Sequence, residues 1–264
     1  MRVYAWWGQV MLKEERQQAI IDRLRRDGKV LAADLITRLN VSEDTIRRDL
    51  NDLSEAGVLQ RVHGGALPRA PSSSYEQRIR ETDASKRAMA EVAARLIHDG
   101  QVVIMDSGTT ILEVVAHLPI TLHATIVTNS VPVAAALIHH PEVEVHVLGG
   151  KLKKDAQAMV GVPVVDALRQ IRADICLLGV CSLHPQIGIS MPDVEEAYVK
   201  RAMIEQAAEV VAVVDATKLG TAAPYIIGPL SSLTYLVANS SVEKQMLTPY
   251  EERGVLVIRA TPAE

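Results

Sequence analysis

Residues 41–66 read VSEDTIRRDLNDLSEAGVLQRVHGGA, and this stretch decides the fold of the first quarter of the chain. Ser42 stands where a helix N-cap is wanted, and Glu43 and Asp44 fall in the first turn, where the helix dipole favours anions. Gly57 ends the helix. At about 100° per residue, Ile46, Leu50 and Leu53 share one side and are expected to bury, with Val41 and Leu35 beneath them. The opposite side presents Asp44, Thr45 and Arg48 near the N-terminus, flanked by Arg47 and Asn51. Residues 58–67 then alternate weakly around Gly64-Gly65 and read as a small β-hairpin, or wing.

Two shorter helices precede this one. Residues 13–26 carry Ile20, Ile21 and Leu24 at helical spacing and stop at Asp27-Gly28, and residues 31–39 carry Leu31, Leu35 and Leu39. Two helices, a tight turn at Asn40-Val41 and a capped third helix make a helix-turn-helix, whose later helix enters the DNA major groove. Arg47 and Arg48 suit guanine edges or phosphate, and Thr45 suits a thymine methyl or a backbone oxygen. Ser42 and the free first-turn amides suit a phosphate, and Arg61 and His63 in the wing are placed beside the groove. A plain three-helix bundle with a solvated arginine face would show the same charges. The cap, the paired arginines, the wing and the linker occurring in this order favour double-stranded DNA as the partner.

Charge is distributed accordingly. Residues 1–69 hold 12 Lys+Arg against 10 Asp+Glu, whereas residues 70–264 hold 16 against 22, so only one end suits a polyanion. That near-balance requires localised arginines, doubled by dimerisation. No run of about 18 apolar residues is present, which excludes an apolar helical span. The opening MRVYAWWGQVML lacks a cleavage site, so residues 1–10 are expected to be a disordered extension ahead of Met11 and not a signal peptide. Cys176 and Cys181 sit in an apolar run and read as buried thiols of a cytoplasmic protein. His139-His140 has no partner at metal-ligand spacing.

The expected organisation is a DNA-binding domain over 11–67, a Pro/Ser-rich linker over 68–75, and an α/β domain over 76–264. A helix is expected over 76–98. Strands follow at Val102–Met105, Ala124–Val127, Val143–Leu148, Ile175–Leu178, Val210–Val214, Leu233–Val237 and Val255–Ile258, alternating with helices at 110–118, 131–139, 163–171, 195–208 and 241–252. Near-continuous apolar strands alternating with helices imply a mostly parallel sheet covered on both faces.

The first of these strands runs into Asp106, Ser107, Gly108, Thr109 and Thr110 and then into a helix. A Gly/Ser/Thr loop there offers free amides, hydroxyls and a favourable dipole to a phosphate. Thr128, Asn129 and Ser130 repeat the pattern after the second strand, and Gly149-Gly150 follows the third. Each alone reads as an ordinary capped turn, but three on one sheet edge favour a site. Glu196 and Lys200, at i, i+4, and Lys218, after the strand ending at Val214, are candidates to complete it. The Glu196–Lys200 spacing also fits a plain helix-surface pair.

The 41–66 run, together with IVTNS, VLGGKL, EEAYVKRAMI and DATKLG further on, resembles the DeoR-type bacterial transcriptional regulators over roughly residues 11–260. The resemblance implies a winged helix-turn-helix domain followed by a sensor domain similar in fold to ribose-5-phosphate isomerase. It implies a repressor of carbohydrate catabolic genes, released by a phosphorylated sugar and assembled as a homodimer or homotetramer, with no cofactor. It assigns the effector pocket to Asp106–Thr110, Thr128–Ser130, Gly149-Gly150, Glu196 with Lys200, and Lys218. One departure falls at Gly179-Val180-Cys181-Ser182-Leu183, where relatives have a Gly-x-x-Gly-Ile turn, and it bears on which sugar fits. The rival expectation is an aldose–ketose isomerase using Asp106, Glu196 and Lys218. The isomerases' Asp-Gly-Ala-Asp and Lys-Gly-Gly-Gly loops are not visible, which disfavours it.

Overall fold

Asn40, in the left-handed conformation at φ 50°, turns the chain between the second and third helices, at the tight Asn40-Val41 turn read from the sequence. The computed structural model describes residues 11–70 and 73–262. The expected extension at 1–10 and residues Pro71 and Ser72 of the expected linker lie outside the described residues. The chain divides into two units, with the boundary between Arg69 and Ala70.

The first unit comprises α1 (Lys13–Asp27), β1 (Val30–Leu31), α2 (Ala32–Leu39), α3 (Glu43–Glu55), β2 (Leu59–Val62) and β3 (Gly65–Pro68). Its core is Ile20, Leu24, Val30, Leu35, Ile46, Leu50, Leu53 and Leu59, all buried. The wing has three strands, ordered β1-β3-β2, where the sequence led us to expect two. The two-residue β1 pairs Val30 with Ala66 and Leu31 with Gly65. That approach requires a glycine, because a Cβ at Gly65 would collide with the Val30 carbonyl oxygen.

The second unit begins with α4 (Tyr75–Arg80) and α5 (Ala84–Ala94). The single helix expected over 76–98 is therefore two. Asp83 makes the break, because its carboxylate accepts the Lys86 amide at 2.8 Å and caps a new helix. The chain continues through β4 (Val102–Met105), α6 (Thr109–Ala116), β5 (Ala124–Thr128), α7 (Val131–Leu137), β6 (Val143–Val147), a hairpin of β7 (Lys151–Lys153) and β8 (Ala158–Val160), α8 (Val162–Leu168) and β9 (Ala173–Leu178). It ends with β10 (Ser182–His184), β11 (Gly188–Met191), α9 (Val194–Glu205), β12 (Ala207–Val214), β13 (Tyr225–Gly228), β14 (Tyr235–Asn239), α10 (Lys244–Glu251) and β15 (Leu256–Ala260).

All seven strands read from the sequence lie in one sheet, ordered β15-β14-β12-β9-β4-β5-β6, with every pairing parallel. Their continuous apolar runs follow from burial on both faces. Val103, Met105, Leu177 and Val213 pack with Ala90, Ile111 and Val133 on one side. Ile104, Cys176, Leu178 and Val214 pack with Val164, Met203 and Leu247 on the other. A smaller antiparallel sheet, β10-β11-β13, and the β7-β8 hairpin were not expected. Among the described residues no helix is long and apolar enough to cross a membrane.

The strand order contains a reversal. From β4 the chain runs outward through β5 to β6, then returns to place β9 on the other side of β4 and continues away through β12. Neighbouring connections diverge at such a point, and in sheets of this kind ligands bind outside the carboxyl ends of the strands there, which here are β4 and β9.

Candidate nucleic-acid interface and effector site

In the first unit, Ser42 Oγ accepts the Thr45 amide at 3.2 Å and meets the Thr45 hydroxyl at 2.8 Å, so α3 starts where its cap dictates. Ile46, Leu50 and Leu53 are buried, while Arg47 and Arg48 have side chains 64% and 75% exposed. Asp44 lies between them. It accepts from Arg47 at 2.5 Å and pairs with Arg48, and the Arg47 hydrogen bond followed by the Arg48 charge holds its carboxyl below the usual range. Arg61 of the wing donates to Asn51 of α3, and His63 is exposed at the hairpin turn. The eight residues read as a DNA face thus occupy α3 and the adjoining hairpin. Exposed pairs of this kind contribute little to stability, so parting either arginine from Asp44 costs little.

Sequence reading missed what holds α3 in place. Asp49 is buried and accepts a two-pronged hydrogen bond from Arg16 of α1, to Oδ2 from Nε and to Oδ1 from a terminal nitrogen at 2.9 Å. The signal was present: Asp49 falls among Ile46, Leu50 and Leu53 on the helical wheel, where an acidic residue needs a buried partner.

In the second unit, the parallel register places the candidate loops along one edge. Met105 pairs with both Thr128 and Leu177, and Thr128 pairs with Val147, so the turns after β4, β5, β6 and β9 are neighbours. At this edge the Asp106 carboxylate accepts the Ser107 amide at 2.7 Å and the Gly179 amide at 2.8 Å. Lys200 of α9 pairs with Asp106 and donates to the Gly179 carbonyl at 2.9 Å. Lys200 and Asp106 are both buried. Burial works against the ammonium, but the Asp106 charge, with Glu196 behind it, outweighs this and keeps the Lys200 pKa above its ordinary value.

This arrangement resolves the choice left by the i, i+4 spacing, because Lys200 takes its ion pair from Asp106 across the sheet edge. A Cβ at Gly179 would collide with the Ser107 carbonyl oxygen and press on Asp106 Oδ2 at 3.0 Å, so only glycine fits there. Ser182, at the departure from the Gly-x-x-Gly-Ile pattern, is buried in β10 and pairs with Ser190. Asp106 is thereby sequestered, which ill suits the base required by an isomerase.

The remaining residues divide by use. Gly108, at φ +121°, turns the chain into α6, whose first-turn amides at Thr109, Thr110 and Ile111 have no partner within the helix. Thr128 accepts the Ser130 amide at 3.0 Å, Ser130 caps α7, and Asn129 donates to the Met159 carbonyl at 2.9 Å. The Asn129 side-chain oxygen, Oδ1, is buried without a hydrogen-bond partner among the described residues. Gly150 is a packing glycine, since a Cβ there would meet Val164 at 2.7 Å, whereas Gly149 faces open space. Lys218 lies 3.4 Å from Asp215 in the turn after β12. Burial opposes the Asp215 charge, but Lys218 and then Thr217 hold its carboxyl below the usual range. Glu196 is half-buried, and burial pushes its carboxyl up, with Lys200 only partly offsetting. Among the described residues no group of His, Cys, Asp or Glu is placed to hold a metal.

Comparison with known proteins decides the family. A profile described as the DeoR-like helix-turn-helix domain matches residues 16–70, and one described as the DeoR C terminal sensor domain matches residues 81–240. The chain belongs to the DeoR family. The HTH-type transcriptional repressor GlcR of Bacillus subtilis is 34% identical over 248 residues, covering 93% of this chain and 95% of the relative. The glycerol-3-phosphate regulon repressor of Escherichia coli is 33% identical over 227 residues, covering 84% and 88%. Ribose 5-phosphate isomerase A from Methanocaldococcus jannaschii aligns with a TM-score of 0.37 at 16% identity, covering 50% of this chain and 52% of the isomerase. As a DeoR-family member this chain is a DNA-binding transcriptional regulator, with a winged helix-turn-helix unit and a parallel α/β unit matching the family's two domains.

Proposed function

We propose that this protein represses carbohydrate catabolic genes from the cytoplasm and leaves its double-stranded operator when a phosphorylated sugar occupies the sheet edge around Asp106–Thr110. Residues 11–67 supply the DNA-binding domain, and residues from 76 onward supply the sensor. Ser42, Asp44, Thr45, Arg47, Arg48, Asn51, Arg61 and His63 contact DNA, with the α3 helices of a homodimer or homotetramer spaced about one turn of duplex, or a multiple of it, apart. The observation that carries the reading is the meeting of the open α6 N-terminus with the strand-order reversal between β4 and β9. The strand-order reversal favours a ligand at that edge, and the helix N-terminus favours an anionic one. Two repressors among the relatives, one named for glycerol 3-phosphate, agree with it.

In this reading the phosphate takes the first-turn amides of α6 and the hydroxyls of Ser107, Thr109 and Thr110, with Lys218 adding charge. Thr128–Ser130, Gly149-Gly150 and Glu196 line the sugar, and the Asp106–Lys200 pair fixes the loop. A thermal-shift screen of hexose, pentose and triose phosphates tests this, because a ligand that binds only the folded state raises the melting temperature. One or more phosphorylated sugars are expected to stabilise the wild type and to do so less in Lys218→Ala. Stabilisation by the unphosphorylated sugars alone would contradict the reading.

A further inference from the structure

Lys86, in the first turn of α5, spends all three protons of its ammonium. It donates to the Thr109 hydroxyl at 2.7 Å, the Arg78 carbonyl at 2.9 Å and the Thr82 hydroxyl at 3.2 Å. One side chain thus joins the last turn of α4, the α4–α5 corner and the first residue of α6. Among the described residues no carboxylate stands within ion-pair distance of it. Burial pushes its pKa down and the charges of Lys218 and Arg78 push the same way, with Glu113 and Asp215 offsetting in part. Lys86 thus brings an ammonium without a carboxylate partner to the N-terminal end of α6, through Thr109.

We propose that Lys86 is the positioning residue through which an anion bound at the α6 N-terminus acts on the segment Tyr75–Thr82. The inference rests on the anion-site reading above. A phosphate oxygen at Thr109 competes for the same ammonium, and a charge-assisted hydrogen bond is about twice as strong as a neutral one. With three protons, Lys86 serves the anion only by releasing one of its three acceptors. Where the Thr109 hydroxyl keeps its bond and donates its own proton to the anion, the one released is the Arg78 carbonyl or the Thr82 hydroxyl. Helix α4 has six residues, too few to hold itself without such ties. It is also the first element after the Arg69/Ala70 division, so loosening it changes the segment by which the DNA-binding unit is attached.

Hydrogen exchange read by mass spectrometry on the full chain tests this, with inorganic phosphate, ribose 5-phosphate and glucose 6-phosphate as separate probes. Residues 106–112 should gain protection while residues 75–82 exchange roughly two- to ten-fold faster, the equivalent of one lost hydrogen bond. In Lys86→Gln, residues 75–82 should exchange fast without any probe and change no further on adding one, and Lys86→Arg should restore the response. Thr82→Val, which removes only the hydroxyl, should speed exchange of residues 75–82 in the absence of probe. Protection at 106–112 with residues 75–82 unchanged would overturn the role of Lys86 and leave the anion site standing. No protection at 106–112 with any probe would overturn the site, and the role of Lys86 with it. Unaltered exchange of residues 75–82 in Thr82→Val would also overturn the role of Lys86, whether or not Lys86→Gln folds.

Discussion

The two units of this chain use opposite charges in opposite ways. On α3, Asp44 pairs with Arg47 and Arg48 in solvent, and the pairs are loose, screened and exchangeable. At the sheet edge, Asp106 pairs with Lys200 out of solvent, and backbone groups of Ser107 and Gly179 hold both side chains in place. The exposed pair is a reservoir of positive charge that a polyanion can claim. The buried pair is a fixture that holds a loop in shape. Both are aspartate–cation pairs, and burial separates the exchangeable one from the fixed one.

Breaking the buried pair should have the largest effect. Lys200→Met leaves the Asp106 carboxylate uncompensated and should cost about 3–5 kcal/mol of stability, read by denaturant unfolding. A loss below about 1 kcal/mol, the worth of a surface pair, would erase the distinction. Arg48→Ala should do the reverse, leaving the unfolding midpoint in place while weakening operator binding by about ten- to a hundred-fold, measured by fluorescence anisotropy. Equal binding by mutant and wild type would remove Arg48 from the recognition face.

Glu196 sharpens the comparison from the buried side. Its raised pKa means the folded state holds the carboxyl proton more tightly than the unfolded chain does. Its contribution is therefore favourable below the unfolded value of about 4.3 and is lost as pH rises through the folded value. Glu196→Gln should accordingly raise the melting temperature at neutral pH, with the gain fading towards pH ~4. A gain independent of pH would point to packing instead. The smallest effect is expected from Asp44→Asn. Freeing Arg47 and Arg48 should tighten non-specific DNA binding by about two- to five-fold at low salt and less at high salt. Weaker non-specific binding would mean that Asp44 orients the two arginines for DNA instead of withholding their charge.

Much of this molecule was legible in its residues, for identifiable reasons. Ser42 with Glu43 and Asp44 announced α3, and runs such as Val102–Met105 announced strands, because cap chemistry and burial on both faces leave local marks. The unexpected pieces depend on distant partners. Strand β1 has two residues and exists because Gly65 lets it approach Val30. In the β10-β11-β13 sheet, β11 pairs with a strand more than 30 positions further on, as Met191 with Tyr225 and Ile189 with Gly228. Lys200 read equally well as a partner of Glu196, and only the sheet order brings it to Asp106, 94 residues away. The break in the 76–98 helix was within reach, since Asp83 is a residue type favoured at an N-cap, a mark that the apolar periodicity masked.

One titration tests most directly whether a sugar phosphate at the sheet edge governs the hold of α3 on DNA. Anisotropy of a labelled duplex from the protein's own promoter is compared with that of a scrambled duplex, with and without phosphorylated sugars. The expected result is a preference of roughly a thousand-fold or more at physiological salt, lost when one of those sugars is added. Equal affinity for the two duplexes, unmoved by any of the sugars, would contradict it.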